Sequence, residues 1–181
     1  MQPSLDVGLL MRAANFAAER HADQRRKGRN QEPYVNHLIE VVQHLAQSTR
    51  AGDTVLLAAG FLHDTVEDTN TRLDELAKLF GPDVASVVGE VSDDKHLRKD
   101  DRKRLQVEQI TQKSTRAQFL SIADKTANVA SLLRSPPMDW TRQRMREYGD
   151  WAEAVVSQIR GQDAYLDQTF SRALLDLRAK L

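Results

Sequence analysis

Cysteine is absent from all 181 residues, which excludes a disulfide framework, a thiolate metal site and a cysteine nucleophile. Net charge is absent as well. The 26 Lys and Arg balance 26 Asp and Glu, so no overall field draws the chain to nucleic acid or to an anionic membrane. No stretch approaches the ~18 apolar residues that a membrane span needs. The start, Met1-Gln2-Pro3-Ser4-Leu5-Asp6, lacks the basic residues and apolar run of a signal peptide. Glycine and proline are scarce, at 8 and 5, and no strand-like alternation lasts more than a few residues. What is present, 40% apolar and 29% charged residues, is ordinary for a globular protein. The expectation is a single all-α domain over residues 1–181, cytoplasmic, with no nucleic-acid or membrane partner.

Helical spacing runs through the chain. Leu9, Leu10, Ala13, Phe16 and Ala17 make one face of a first helix, residues 5–21. A polar, basic loop (Gln24-Arg25-Arg26-Lys27-Gly28-Arg29-Asn30) leads to a second helix from Pro33 through Leu45. Asp53 can cap a third, which opens apolar and carries His63, Asp64, Glu67 and Asp68 on its last turns. Thr71 reads as the cap of a helix ending at Gly81, and Pro82 starts another. A mixed-charge segment, residues 92–101, enters a helix near Arg102–Ile110. Ser114 or Thr115 caps a helix over 119–133 that Pro136-Pro137 stops. Thr141 and Asp163 begin the last two. In all, about eight or more helices are expected.

An ionisable group buried without a partner costs several kcal/mol, so charges among apolar helix positions call for a reason. His37 lies between Val35 and Leu38-Ile39. Asp124 lies in Leu120-Ser121-Ile122-Ala123-Asp124-Lys125, with Asn128 one turn on and on the same face. With His63 and Asp64 these make two imidazoles and two carboxylates on three helices. Such mixed N/O donors suit Mn²⁺, Fe²⁺, Zn²⁺ or Co²⁺ better than Ca²⁺ or Mg²⁺. Each residue alone has a plainer reading: His37 as a core-edge histidine, Asp124 as a partner of Lys125 or Arg134. The order H…HD…D, each member with apolar helical neighbours, is far more specific than its parts.

That pattern resembles the HD-domain metal-dependent phosphohydrolases. Within them the chain is most similar to the hydrolase domain of the RelA/SpoT alarmone enzymes, of the stand-alone metazoan SpoT-homologue type. The similarity is carried by Gln24-Arg25-Arg26-Lys27, Pro33-Tyr34-Val35-Asn36-His37 and His63-Asp64-Thr65-Val66-Glu67-Asp68-Thr69. It continues through Ser92-Asp93-Asp94-Lys95, residues 102–108 and Ala123-Asp124-Lys125…Asn128. It implies metal ligands His37, His63, Asp64 and Asp124, with Mn²⁺ the usual ion, and a catalytic pair Glu67 and Asp68. It also implies substrate contacts from Arg26, Lys27 and Asn128. The implied reaction is hydrolysis of the 3′-pyrophosphate of guanosine tetra- or pentaphosphate, with no synthetase domain. Two departures stand out: Leu38 where the family often has Pro, and Gly60 inside the helix before His63, at a cost of ~1 kcal/mol relative to Ala.

The chemistry suits these residues. A phosphate ester repels hydroxide, and one divalent ion can both acidify water and clamp a phosphoryl oxygen. Glu67 or Asp68 could hold that water or relay its proton. The basic loop could fold over the same pocket, or be a solvated surface loop. Lys95, His96, Arg98 and Lys99 form a second candidate cationic rim, from which Lys99 is taken as a further substrate contact. His21 and His44 read as structural. Two other functions remain open: a different HD reaction, such as nucleotide or NADPH 2′-phosphatase, and a catalytically idle nucleotide sensor.

Overall fold

A computed structural model describes residues 5–181; of the N-terminal stretch read above for a leader, residues 1–4 lie outside it. Among the described residues there is no strand, only ten α-helices and one 3-10 turn. They are α1 (Val7–Arg20), α2 (Val35–Thr49), α3 (Thr54–Leu62), α4 (Thr65–Asp68), α5 (Leu73–Phe80), α6 (Pro82–Val91), α7 (Lys99–Gln109), α8 (Thr115–Arg134), α9 (Arg142–Ser157) and α10 (Ala164–Lys180), with the 3-10 turn at Ile110–Gln112 between α7 and α8. Among the described residues no helix is long and apolar enough to cross a membrane.

The core forms around α3 and α8. Leu56, Leu57, Ala58, Ala59, Gly60 and Leu62 of α3 are all buried, because α1, α2 and α6 pack around it. Each leucine removed from water in this way is worth about 1.5–3 kcal/mol. The long α8 buries Leu120, Ile122, Ala123, Val129 and Leu132 against α2 and α10, and α10 answers with Leu166, Phe170, Leu174 and Leu177. Gly60 is no weakness here. A Cβ at this position would come within 2.9 Å of Leu45 Cδ1 and of Val42 Cγ2, so glycine is what lets α3 lie close against α2. Leu38 is wholly buried.

Caps expected at Asp53, Ser114 and Thr141 form as read, and Asp163, expected only as a helix start, caps as well, each side chain accepting a backbone N–H of the first turn. Thr71 does not cap: the N-cap is Arg72, in extended conformation and without a side-chain bond, while the Thr71 hydroxyl lies 2.8 Å from that of Thr69. Helix α7 starts at Lys99, three residues before the expected Arg102. Asp100 and Asp101 in its first turn favour that start through the helix dipole.

The third helix is not continuous through the ionisable residues. It ends at Leu62, His63 and Asp64 form a turn, and α4 follows as a single short turn. Thr65, fully buried, donates its hydroxyl to the Leu62 carbonyl at 2.6 Å, and His63 Nδ1 pairs with the Gly60 carbonyl at 2.8 Å. These bonds take up carbonyls that the broken ladder leaves free. The expected single helix carrying all four residues on its last turns is thus two helices with a turn between them.

Candidate metal centre and its two cavities

Helix α2 brings His37, the α3–α4 turn brings His63 and Asp64, and α8 brings Asp124 to one point. His37 Nε2 lies 3.2 Å from Asp124 Oδ1 and 3.6 Å from Asp64 Oδ2. His63 Nε2 lies 3.0 Å from Asp64 Oδ2 and 3.7 Å from Asp124 Oδ1. Donor atoms of His37, His63 and Asp124 all lie within 4.8 Å of one another. Both imidazoles are buried, and neither Nε2 has a hydrogen-bond partner of good geometry. Two orphaned imidazole nitrogens facing two carboxylates fit a divalent transition-metal ion, the donor set that such ions prefer.

Outer contacts orient the donors. The His63 Nδ1–Gly60 bond leaves Nε2 free to face an ion. Asp64 Oδ2 accepts from the Tyr34 hydroxyl at 2.6 Å, and Asp124 Oδ1 accepts from Asn128 Nδ2 at 2.7 Å. Burial and the Asp64 carboxylate push the Tyr34 phenol far up, so it stays a neutral donor. Burial drives His37 below the ordinary imidazole value. Burial would do the same to His63, but the Asp64 and Asp124 carboxylates outweigh it and hold His63 well above. Burial likewise opposes ionisation of Asp64, and His63 beside it wins, holding the carboxyl well below its usual range.

The cluster stands between two cavities. The larger, about 510 Å³, is lined by Gln24, Arg26, Lys27, His37, Asp68 and Asn128, and also by Trp140 and Tyr148. The smaller, about 160 Å³, is lined by His63, Asp64, Glu67, Asp93, Asp124 and two lysines, Lys113 and Lys125. Tyr34 and Asn128 border both. Being adjacent on one helical turn, the two acids of α4 point apart, Asp68 to the large cavity and Glu67 to the small one. Lys95 spans them, 3.0 Å from Asp68 Oδ1 and 3.8 Å from Glu67 Oε2. Burial pushes the Glu67 carboxyl up to about 7, even though its Oε1 accepts the Asp93 backbone N–H at 2.8 Å.

Of the proposed substrate contacts, Arg26, Lys27 and Asn128 line the large cavity, and Arg26 Nη2 donates to Asn128 Oδ1 at 2.7 Å. The basic loop folds down on α8: Arg29 N donates to the Pro136 carbonyl at 3.1 Å, and Asn30 N to Ser135 Oγ at 3.0 Å. Gly28 sits so close to Ser135 that any Cβ there would clash with it. Lys99 opens α7 on the exposed surface and lines neither cavity. His21 stacks on Tyr34 behind the cluster, and His44 lies 3.4 Å from the Tyr165 hydroxyl. Several lining residues went unread. Tyr34 had a signal, since it is one turn before His37. Trp140 and Tyr148, with Arg144 stacked 4.6 Å over the Trp140 ring, had none beyond helical spacing.

Residues 13–149 match the HD-domain family. The chain belongs to it. Among HD-domain relatives, the guanosine-3′,5′-bis(diphosphate) 3′-pyrophosphohydrolase MESH1 of Xenopus tropicalis is 44% identical over 96% of this chain and 97% of its own. The Homo sapiens MESH1 is 45% identical over 90% of this chain and 91% of its own. A solved structure of a metazoan ortholog of SpoT that hydrolyzes ppGpp superposes with a TM-score of 0.91 at 39% identity, covering 98% of this chain and 99% of that one. An HD domain implies a divalent metal ion, in keeping with the donors described above.

Proposed function

We propose that this HD-domain chain hydrolyses guanosine 3′,5′-bis(diphosphate), and its pentaphosphate counterpart, at the 3′-pyrophosphate, giving GDP or GTP and pyrophosphate. The observation that carries the reading is the His37–His63–Asp64–Asp124 cluster set between a nucleotide-sized cavity with basic walls and a second, smaller one. Full-length similarity to the MESH1 proteins supports the choice of substrate. The four cluster residues are the proposed ligands of one ion, Mn²⁺ in this reading, which when bound acidifies water and neutralises phosphoryl charge.

The remaining steps belong to the chain. Arg26 and Lys27 clamp phosphate, and Asn128 both borders the nucleotide and steadies Asp124. Lys99 stands as an outer cation on the approach. Glu67, half-buried and held by the Asp93 N–H, positions the attacking water and takes its proton, for which a carboxylate near neutrality is well suited. Asp68, tied to Lys95 and to Gln24 Nε2 at 3.1 Å, keeps the Lys95 ammonium beside Glu67. Cytoplasmic location is part of the proposal, because the substrate is an intracellular nucleotide.

Product analysis with Mn²⁺ tests the reading, with guanosine tetraphosphate, NADPH and a nucleoside monophosphate assayed in parallel. Pyrophosphate plus GDP, lost on chelation, is the expected result. Orthophosphate from NADPH or the monophosphate alone would keep the metal centre and overturn the substrate. Nucleotide binding without any product would make the chain a sensor.

A further inference from the structure

The small cavity is not nucleoside-sized. At about 160 Å³ it holds roughly five water volumes, below the usual size of a nucleotide site. Its charges are nearly all committed. Lys125 Nζ donates to Gln106 Oε1 at 2.8 Å and sits 4.8 Å over the Trp151 ring. Both Asp93 oxygens accept from Gln106 Nε2, at 3.0 and 2.9 Å. Asp64 and Asp124 face the cluster, and Glu67 accepts the Asp93 N–H.

Lys113 is the exception. It follows the Ile110–Gln112 turn, whose backbone is pinned by the Gln118 amide donating to the Ile110, Thr111 and Lys113 carbonyls. The turn is fixed, and its half-buried ammonium makes no hydrogen bond or ion pair among the described residues. Burial pushes its pKa down, while the acids that feel its charge (Asp93, Glu90 and Glu67) are bonded elsewhere. Glu90, for instance, accepts both the backbone N–H and the hydroxyl of Ser114, at 2.6 and 2.9 Å. A cation partly withdrawn from water without a counter-ion costs stability, and an anionic ligand would repay that cost.

We infer that the small cavity receives the pyrophosphate product and that Lys113 binds it, on the far side of the metal cluster from the nucleoside. This rests on the proposed hydrolysis. There, the oxygen of water bonds to the phosphorus carried by the ribose 3′-oxygen, the 3′-oxygen–phosphorus bond breaks, and the 3′-oxygen takes a proton. The diphosphate so released already lies past Tyr34 and Asn128, which border both cavities. Lys113 then keeps it apart from the nucleotide, which leaves through the large cavity.

The test is pyrophosphate affinity of the Mn²⁺-loaded full chain by calorimetry, with GDP titrated in parallel, for wild type, Lys113→Met and Lys113→Arg. Lys113→Met is expected to bind pyrophosphate about tenfold or more weakly, the weight of one charge-assisted hydrogen bond, with GDP affinity unchanged. Lys113→Arg should recover most of the loss. Equal pyrophosphate affinity in Lys113→Met and wild type overturns the inference, as does an equal loss for both ligands. If wild type fails to hydrolyse guanosine tetraphosphate, the functional reading falls, yet these affinities still decide whether Lys113 is an anion site.

Discussion

Residues 24–29 and residues 93–104 look alike as basic stretches, and they do opposite things. The first holds Arg25, Arg26, Lys27 and Arg29 with no acid between them, and it closes on the C-terminal end of α8 to form a wall of the large cavity. The second interleaves its cations with Asp93, Asp94, Asp100 and Asp101. Half of its cations are paired: Lys95 on Asp68 and Glu67, Arg102 3.8 Å from Asp93, Arg104 on Asp101 and Glu108. Helix α7 within it buries no residue. A count of Lys and Arg thus says little about anion binding. What matters is whether carboxylates stand within reach: Arg104 finds them one turn away on its own helix, whereas Lys95 and Arg102 find theirs through the fold.

Both stretches border the cavities on either side of the His37–His63–Asp64–Asp124 cluster, so the largest effect comes from breaking that cluster. Asp64→Ala should lower turnover by about a thousandfold and lower bound metal with it. Full activity in this variant would remove the cluster from the mechanism. The same centre predicts a pH dependence with a defined sign. His63 in the ion-free protein is held above its ordinary pKa by Asp64 and Asp124, so it keeps a proton that metal must displace. Affinity for Mn²⁺ should therefore rise with pH, and its loading should release protons, as titration at pH values of about 6 and 8 would read.

The next effect separates Glu67 from its cationic neighbour. Glu67→Gln should keep metal and lose about a hundredfold or more in rate, since the amide can still accept the Asp93 N–H but cannot take a proton. Stability should move the other way. The folded-state pKa is raised from 4.5 to about 7, so the folded protein binds this proton more tightly than the unfolded chain does. Stability from that source is full below about 4.5 and is lost as pH rises through about 7, at a cost of no more than about 3 kcal/mol. Glutamine carries no such cost. The metal-free Glu67→Gln protein should melt above the wild type at pH ~8, and the gap should narrow toward pH ~4.5. The half-exposed Lys95 pair, weak as such pairs are, offsets little of this.

Much of this arrangement was legible because it is local. Caps at Asp53, Ser114, Thr141 and Asp163 follow from residue type, and the apolar neighbours of His37 and Asp124 marked those two as inward-facing. What escaped is set by contacts between elements. Residues 55–68 contain nothing that ends a helix, so the turn at His63-Asp64 could not be read; it sets both side chains against His37 and Asp124. Gly60 read as a local defect because its value lies in Val42 and Leu45, residues distant in the chain. The second cavity and Lys113 were hidden for the same reason, since α4, the loop after α6, the turn before α8 and α8 itself build it together.

The smallest effects sharpen the comparison between the two stretches. Lys27 lines the large cavity, whereas Lys99 lines neither. Lys27→Ala should raise KM for guanosine tetraphosphate about tenfold with little change in kcat, the weight of one charge-assisted phosphate contact. Lys99→Ala should change KM by about twofold or less, as expected of an exposed charge acting through solvent. Salt distinguishes the two modes: raising ionic strength from about 0.05 to 0.2 M should erase the Lys99 effect while leaving most of the Lys27 effect. A Lys99→Ala defect as large as that of Lys27→Ala, and persistent in salt, would mean that α7 closes over the substrate. The second stretch would then be a wall of the site as well, and the pairing of its cations seen here would describe only the open form.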